Sequence, residues 1–125
     1  ILREPLAGLP AVLPVKDSVR HWFASPRAAV GFLRHAAQLD LSRLDGRIAL
    51  NMPGLSATVA EEIAALRRVA GQKAVDLIRY QPDDTIARIV AGWPENFTAE
   101  RARALGFQAE TSFDQIIQAH LEDLC

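Results

Sequence analysis

Cysteine is almost missing from this 125-residue chain; the one residue of that type, Cys125, is the last. A lone thiol forms no internal disulfide, so the fold does not depend on oxidation, as expected of a cytoplasmic protein. Aromatic residues are scarce, at 6%, although 50% of the residues are hydrophobic. The core must therefore be built mostly from Ala, Leu, Val and Ile, and the composition argues against disorder. Basic excess is missing too: 14 Lys and Arg stand against 15 Asp and Glu, for a net charge of −1. The longest basic cluster is the pair Arg67-Arg68. That argues against a nucleic-acid partner, which needs an electrostatic footprint. No apolar run reaches the ~20 residues of a membrane span, and Ile1 opens no signal-peptide pattern. Neither nucleic acid nor membrane is expected as a partner.

The usual catalytic constellations are missing as well. There is no Gly-x-x-Gly-x-x-Gly or Gly-x-Gly-x-x-Gly turn, so the chain has no recognisable dinucleotide-binding element. There is no Walker loop. The only tyrosine, Tyr80, is followed four residues later by Asp84, so no Tyr-x-x-x-Lys pair exists. His21, His35 and His120 are scattered, and with Cys125 they make no metal set. Ser25, Ser42, Ser56 and Ser112 read as caps or turn residues. The carboxylates, Glu61-Glu62 and Asp83-Asp84 among them, fall on faces expected to meet solvent.

What is present is an ordered set of helix and turn signals. Pro5, Gly8, Pro10 and Pro14 keep Pro5 to Lys16 from forming a regular helix, leaving Ala11-Val12-Leu13 as a short extended piece. Val19 to Ala24 reads as a short strand. Ser25-Pro26 then starts a helix: Ser caps it, and Pro sits where no donor is lost. Its apolar stripe is Val30, Leu33 and Ala37, with Ala29 and Ala36 beside it, and it ends near Asp40. Arg47 to Asn51 is a second strand candidate after the Asp45-Gly46 turn. Thr58-x-x-Glu61 is a capping box opening a helix with Val59, Ile63, Leu66 and Val69 on one face and Gly71 at its end. Ala74 to Tyr80 is ambiguous, and Asp83 to Val90 reads as a short helix or turn. Thr98 is expected to cap a brief helix closed by Gly106. Ser112-x-x-Gln115 opens the last one. The sum is a single α+β domain, residues 1–125, with about four helices and two or three short strands. Ile1 to Leu6 reads like the end of a helix already under way, as in a chain cut from something longer; a processed amino terminus would give the same start.

Three stretches in order carry a resemblance. They are Arg20-His21-Trp22-Phe23-Ala24; Leu50-Asn51-x-x-Gly54 followed by Thr58 to Ile63; and Thr98 through Leu105-Gly106-Phe107 with Ser112-Phe113. Their order and spacing resemble the last third of the extended short-chain dehydrogenases, the NAD-dependent epimerase/dehydratase family. Ser25-Pro26-Arg27 stands where nucleotide-sugar epimerases of the family carry a Val-Asp-Asp-like step, which favours a small sugar acid as substrate. The runs Val19 to Phe32 and Ile89 to Pro94 point the same way.

The resemblance implies the carboxy-terminal, substrate-binding lobe of a Rossmann-type oxidoreductase. The parent would use NAD, with NADP left open, to oxidise a hydroxyl next to a carboxylate. The nucleotide-binding half and its Ser/Thr-Tyr-Lys set would lie outside this chain, which would bind no cofactor and be inactive alone. Within this reading Arg20 and Arg88 face the substrate, because a guanidinium grips a carboxylate bidentately, and His21 and Trp22 line the pocket. Each has a plainer reading. Arg20 fits a structural ion pair, Arg88 a pair with Asp84 one turn back, and His21 and Trp22 the core. A nucleotide-sugar epimerase or dehydratase portion, and a non-catalytic binding domain, are the rival functions. If a nucleotide-binding half is missing, an apolar face is left uncovered for that half or for self-association, with Val12, Trp22 and Phe23 in it.

Overall fold

The computed structural model describes residues 1–124; the terminal Cys125 lies outside the described residues. The elements run α1 (Arg3–Leu6), β1 (Ala11–Leu13), β2 (Arg20–Phe23), α2 (Pro26–Gln38), a 3-10 turn (Leu41–Leu44), β3 (Leu55–Thr58), α3 (Val59–Ala70), α4 (Gln72–Val75), β4 (Ile78–Tyr80), α5 (Asp84–Val90), α6 (Glu100–Ala104) and α7 (Phe113–Asp123). The α+β class is borne out. Four of the helices are the ones anticipated, α2, α3, α6 and α7; α5 takes the helical of the two readings given for Asp83 to Val90, α1 lies where the chain reads like the end of a helix, and α4 is a single turn added to them.

The strands form two separate pairs. β1 lies parallel to β4, with Ala11 opposite Ile78 and Leu13 opposite Tyr80. β2 lies antiparallel to β3, with Arg20 opposite Thr58 and Phe23 opposite Leu55. The core is three apolar clusters. In the first, Leu66 of α3 meets Phe113 and Ile117 of α7. The second gathers Leu44, Ala102, Leu105 and Phe107, and the third Leu13, Val15 and Val59.

Several local signals are realised as read. Ser25 caps α2 by accepting from the Ala28 amide at 3.0 Å, with Pro26 at the first helical position. Thr58 and Glu61 exchange both bonds of a capping box. Asp83 caps α5 by accepting from the amides of Thr85 and Ile86. Gly71 takes φ 82°, where a side chain would be strained.

Other expectations are corrected. Residues 47–51 lie in no strand; the partner of β2 is Leu55–Thr58, directly before α3. Thr98 does not cap α6, whose N-cap is Ala99 with no side-chain bond. Ser112 caps α7, but the Gln115 side chain answers to the Thr111 amide one residue earlier. The stripe foreseen for α2 points outward: Val30 is 54% and Leu33 74% exposed. The inner face is Phe32, His35 and Leu39, because Phe107 stacks edge-on to His35 at 4.6 Å and His35 Nε2–H donates to the Leu105 carbonyl at 2.7 Å. On α3 the covered face is also wider than the stripe. It takes in Ala65 and Glu62, since α3 meets the α7 cluster on one side and the β1 cluster on the other. Glu62, expected in solvent, is only 7% exposed. Among the described residues no helix is long and apolar enough to cross a membrane.

Candidate functional site

Strands β2 and β3 form a small platform, and side-chain alternation sorts its residues. Arg20 and Trp22 share one face; His21 and Phe23 share the other. Phe23 turns into the core, edge-on to Phe113 at 5.1 Å. Residues 93–97 are laid along β2. The Trp22 amide donates to the Pro94 carbonyl at 3.2 Å, and the Ser56 hydroxyl donates to the Glu95 carbonyl at 2.8 Å. The Trp22 ring lies 4.5 Å from Phe97, while its Nε1 donates to the Met52 carbonyl at 3.3 Å. On the opposite face the His21 ring lies 5.5 Å from Trp93 and 6.1 Å from Phe23. Its Nδ1 is buried with no hydrogen-bond partner among the described residues.

Arg20 is the charge of this platform. It donates to Ser56 Oγ at 3.2 Å and stands 3.6 Å from Glu61. The Glu61 carboxyl is held below its usual range, first by the Thr58 amide and last by the Arg20 charge. So Arg20 serves an ion pair while remaining well exposed at its side chain. Arg88 differs. It is exposed on α5 and, among the described residues, makes no ion pair, with Asp84 or any other carboxylate. The structure thus brings Arg20, His21 and Trp22 together with the segment that follows α5. No hydrogen bond or ion pair ties Arg88 to them.

Sequence reasoning missed Ser56, Glu61 and Phe97 as the neighbours of Arg20 and Trp22. Their alternation is legible only once β3 is placed at 55–58. Trp22 and Phe23, foreseen in an uncovered patch, are half-buried under Phe97 and Phe113, whereas Val12 is exposed. Two open clefts are lined by other residues. One of about 470 Å³ has apolar walls of Leu13, Ile63, Val75 and Ile78 with Lys16 and Tyr80 on it. One of about 500 Å³ lies between Pro53–Leu55 and Arg103, Phe107 and Glu110.

The residues present do not suit a dinucleotide. A pyrophosphate needs free amides at a helix start behind a glycine turn. No glycine turn precedes α2, α3 or α5, and the side chains of Ser25, Thr58 and Asp83 each sit at the helix start and accept from one or two of its first-turn amides. Nor do the described residues gather three or more His, Cys, Asp or Glu where they could hold a metal.

No family model matches the chain. Relatives nevertheless extend over nearly all of it. It is 46% identical over 98% of its length to D-erythronate dehydrogenase of Cupriavidus necator, of which it covers 38%. Among solved structures it superposes on a nucleoside-diphosphate-sugar epimerase from Agrobacterium tumefaciens with a TM-score of 0.95 and 61% identity, covering 98% of this chain and 36% of that one. A GalE-like L-threonine dehydrogenase from Cupriavidus necator follows at TM-score 0.78 and 27% identity, covering 99% and 39%. The resemblance to the extended epimerase and dehydrogenase type of protein is therefore borne out across the chain. The chain spans rather more than a third of the length of these relatives.

Proposed function

We propose that residues 1–125 are the carboxy-terminal, substrate-binding domain of an NAD-dependent oxidoreductase that oxidises the 2-hydroxyl of a small sugar acid such as D-erythronate. The observation that carries this reading is the 46% identity to a D-erythronate dehydrogenase along 98% of the chain. The cofactor, with NAD favoured over NADP, and the acid–base residues belong to a nucleotide-binding half outside this chain, so the chain alone is inactive. The nicotinamide would accept the hydride; this chain's part is to hold the carboxylate end of the substrate. Arg88 is the first residue for that task, because its guanidinium is exposed and uncommitted to a carboxylate of its own. Arg20 is the second, with Trp22 beside it on the same face of β2 and His21 on the opposite face, against Trp93. The setting proposed is the cytoplasm.

The name of the Agrobacterium structure supports a second reading, a nucleoside-diphosphate-sugar epimerase, at 61% identity. Ser25-Pro26-Arg27 argues for the sugar acid. The two are separated by assaying a full-length polypeptide containing this chain for cofactor reduction with D-erythronate and for epimerisation of nucleotide sugars. In the same polypeptide, Arg88→Ala is expected to raise KM for the acid about 10- to 100-fold, the worth of a charge-assisted carboxylate pair. Arg20→Ala is run beside Arg20→Lys and a thermal midpoint, since its loss also frees Glu61. Unchanged KM in both alanine variants overturns the site; epimerisation without oxidation overturns the substrate.

A further inference from the structure

One turn signal of the sequence carries chemistry of its own. Asp45-Gly46 links the buried Leu44 to the run 47–51, and both of its residues are exposed. Asp45 stands at φ 48° and ψ 41°, the one non-glycine residue with positive φ among those described. Gly46 follows at φ 73°, with nothing within 4 Å of the place a Cβ would take. The Asp45 carboxyl makes no hydrogen bond or ion pair among the described residues, and the Gly46 amide donates to none of them. A free carboxyl and a free, unhindered amide therefore sit on adjacent residues. The other aspartates lack this combination. Asp40 and Asp83 each accept from the amide two residues on, Asp76 accepts from Gln72, and Asp114 and Asp123 pair with Arg68 and Arg27. Asp17 and Asp84 are unspent, but Ser18 and Thr85 follow them with side chains in the way, and the Thr85 amide is already given to Asp83.

We propose that Asp45-Gly46 is a covalent modification site, at which the main chain of the folded protein isomerises from the aspartyl to the isoaspartyl linkage. The Gly46 nitrogen forms a bond to Asp45 Cγ. The acid's hydroxyl and the amide hydrogen leave together as one water, and a succinimide ring results. Water then opens the ring. Addition at Cγ restores Asp45; addition at the main-chain carbonyl carbon breaks its bond to the Gly46 nitrogen and leaves the chain running through Cβ and Cγ. Neither step needs an oxidant, a cofactor or an enzyme. The new linkage also lifts the restriction that a Cβ branch imposes on a left-handed residue. The change reaches the packing. Arg101 donates to the carbonyls on both sides of the turn, those of Leu44 and Arg47, and on to that of Ala49. The Arg47 amide donates to the Leu44 carbonyl at 2.9 Å. One more main-chain carbon between these anchors pushes them apart, so isomerisation loosens 47–49 from Arg101. The proposal requires no particular substrate and stands apart from the proposed activity.

The test incubates the full-length polypeptide containing this chain for weeks at neutral pH and physiological temperature, both folded and in denaturant. Isoaspartate is read by transfer of labelled methyl groups from S-adenosylmethionine with a protein isoaspartyl methyltransferase, and peptide mapping locates it. In the folded protein, label on the peptide holding Asp45 should exceed that on the Asp17 peptide by at least about 10-fold, since glycine puts no side chain beside the attacking nitrogen. A form lighter by one water should precede it. Asp45→Gly keeps the positive φ, removes the carboxyl and should stay unlabelled there. Asp45→Asn closes the same ring by losing ammonia and should label faster. No label at Asp45 in the folded protein overturns the proposal, whether or not label forms in denaturant; equal label at Asp17 overturns it too. The aged form, separated by chromatography, should melt several degrees below the fresh protein, and Arg101→Ala should narrow that gap. Aged protein that melts like fresh protein overturns the coupling to Arg101. No turnover is measured, so failure here is distinguishable from failure of the substrate reading.

Discussion

Ser25 and Glu110, 85 positions apart, are joined twice: the Ser25 amide donates to one carboxylate oxygen at 3.2 Å, and the Ser25 hydroxyl donates to the other. The same hydroxyl accepts from the Ala28 amide at 3.0 Å, so one side chain both starts α2 and anchors the segment before α7. At 1% exposure the group has no water to fall back on. Ser25→Ala should therefore cost about 2–3 kcal/mol, a cap plus a bond to a charged partner. Glu110→Ala keeps the cap and should cost about 1–2 kcal/mol. Denaturant unfolding of both and of the double variant checks this; strict additivity would mean the two residues are not coupled.

Glu62 makes stability depend on pH. Burial pushes its carboxyl up to about 7, and the Ile1 ammonium opposes that only in part. In the unfolded chain a glutamate titrates near its ordinary value of about 4.3. The folded state therefore binds more protons between these values, so stability is greatest below the unfolded value and falls as pH rises through about 7. The loss is of order 3 kcal/mol at about 1.4 kcal/mol per pKa unit. Glu62→Gln should flatten this part of the pH–stability profile from 5 to 8 and be the more stable form at pH 8. A profile that Glu62→Gln leaves unaltered would show that the carboxyl is solvated.

Arg101 donates to three carbonyls, those of Leu44, Arg47 and Ala49, and so fixes a run that has no strand partner. Arg101→Ala should destabilise the chain by about 1–3 kcal/mol by leaving these acceptors without their charged donor. Arg101→Lys should recover little, because a single ammonium cannot reproduce the planar fork. Chemical shifts of residues 44–50 should move in both variants while those of the α3–α7 cluster stay still.

Gly54 sits where β3 begins, and a Cβ there would lie 2.6 Å from Trp22 Nε1 and 2.7 Å from the Phe23 carbonyl oxygen. The indole could tilt, but the carbonyl belongs to the β2 backbone and cannot. Gly54→Ala should cost about 1–3 kcal/mol through overpacking. It should also break the Trp22 bond to Met52, visible as a shifted indole N–H resonance. An unshifted resonance at full stability would mean that the loop relaxes away from β2.

The sequence by itself determined the local events of this protein. Ser25-Pro26, Thr58-x-x-Glu61 and Ser112 each start a helix because the cap chemistry is complete within one turn of chain. Arg20 to Phe23 is a strand because its residue types suit one, and the ordered motifs carried the family resemblance without reference to any contact. Only the tertiary structure decided which faces are covered. Periodicity shows that α2 and α3 each have an apolar side but not what lies opposite. Phe107 and the Leu105 carbonyl claim the His35 side of α2 and leave Leu33 outside, and two clusters meeting at α3 bury Glu62. The strand partner of β2 was likewise decided at long range: 47–51 and 55–58 are both strand-compatible, and pairing across more than 30 residues selects between them. The same distance hid the candidate site. Arg20 meets Ser56 and Glu61, and Trp22 meets Phe97, only after β2, β3 and residues 93–97 have been laid side by side.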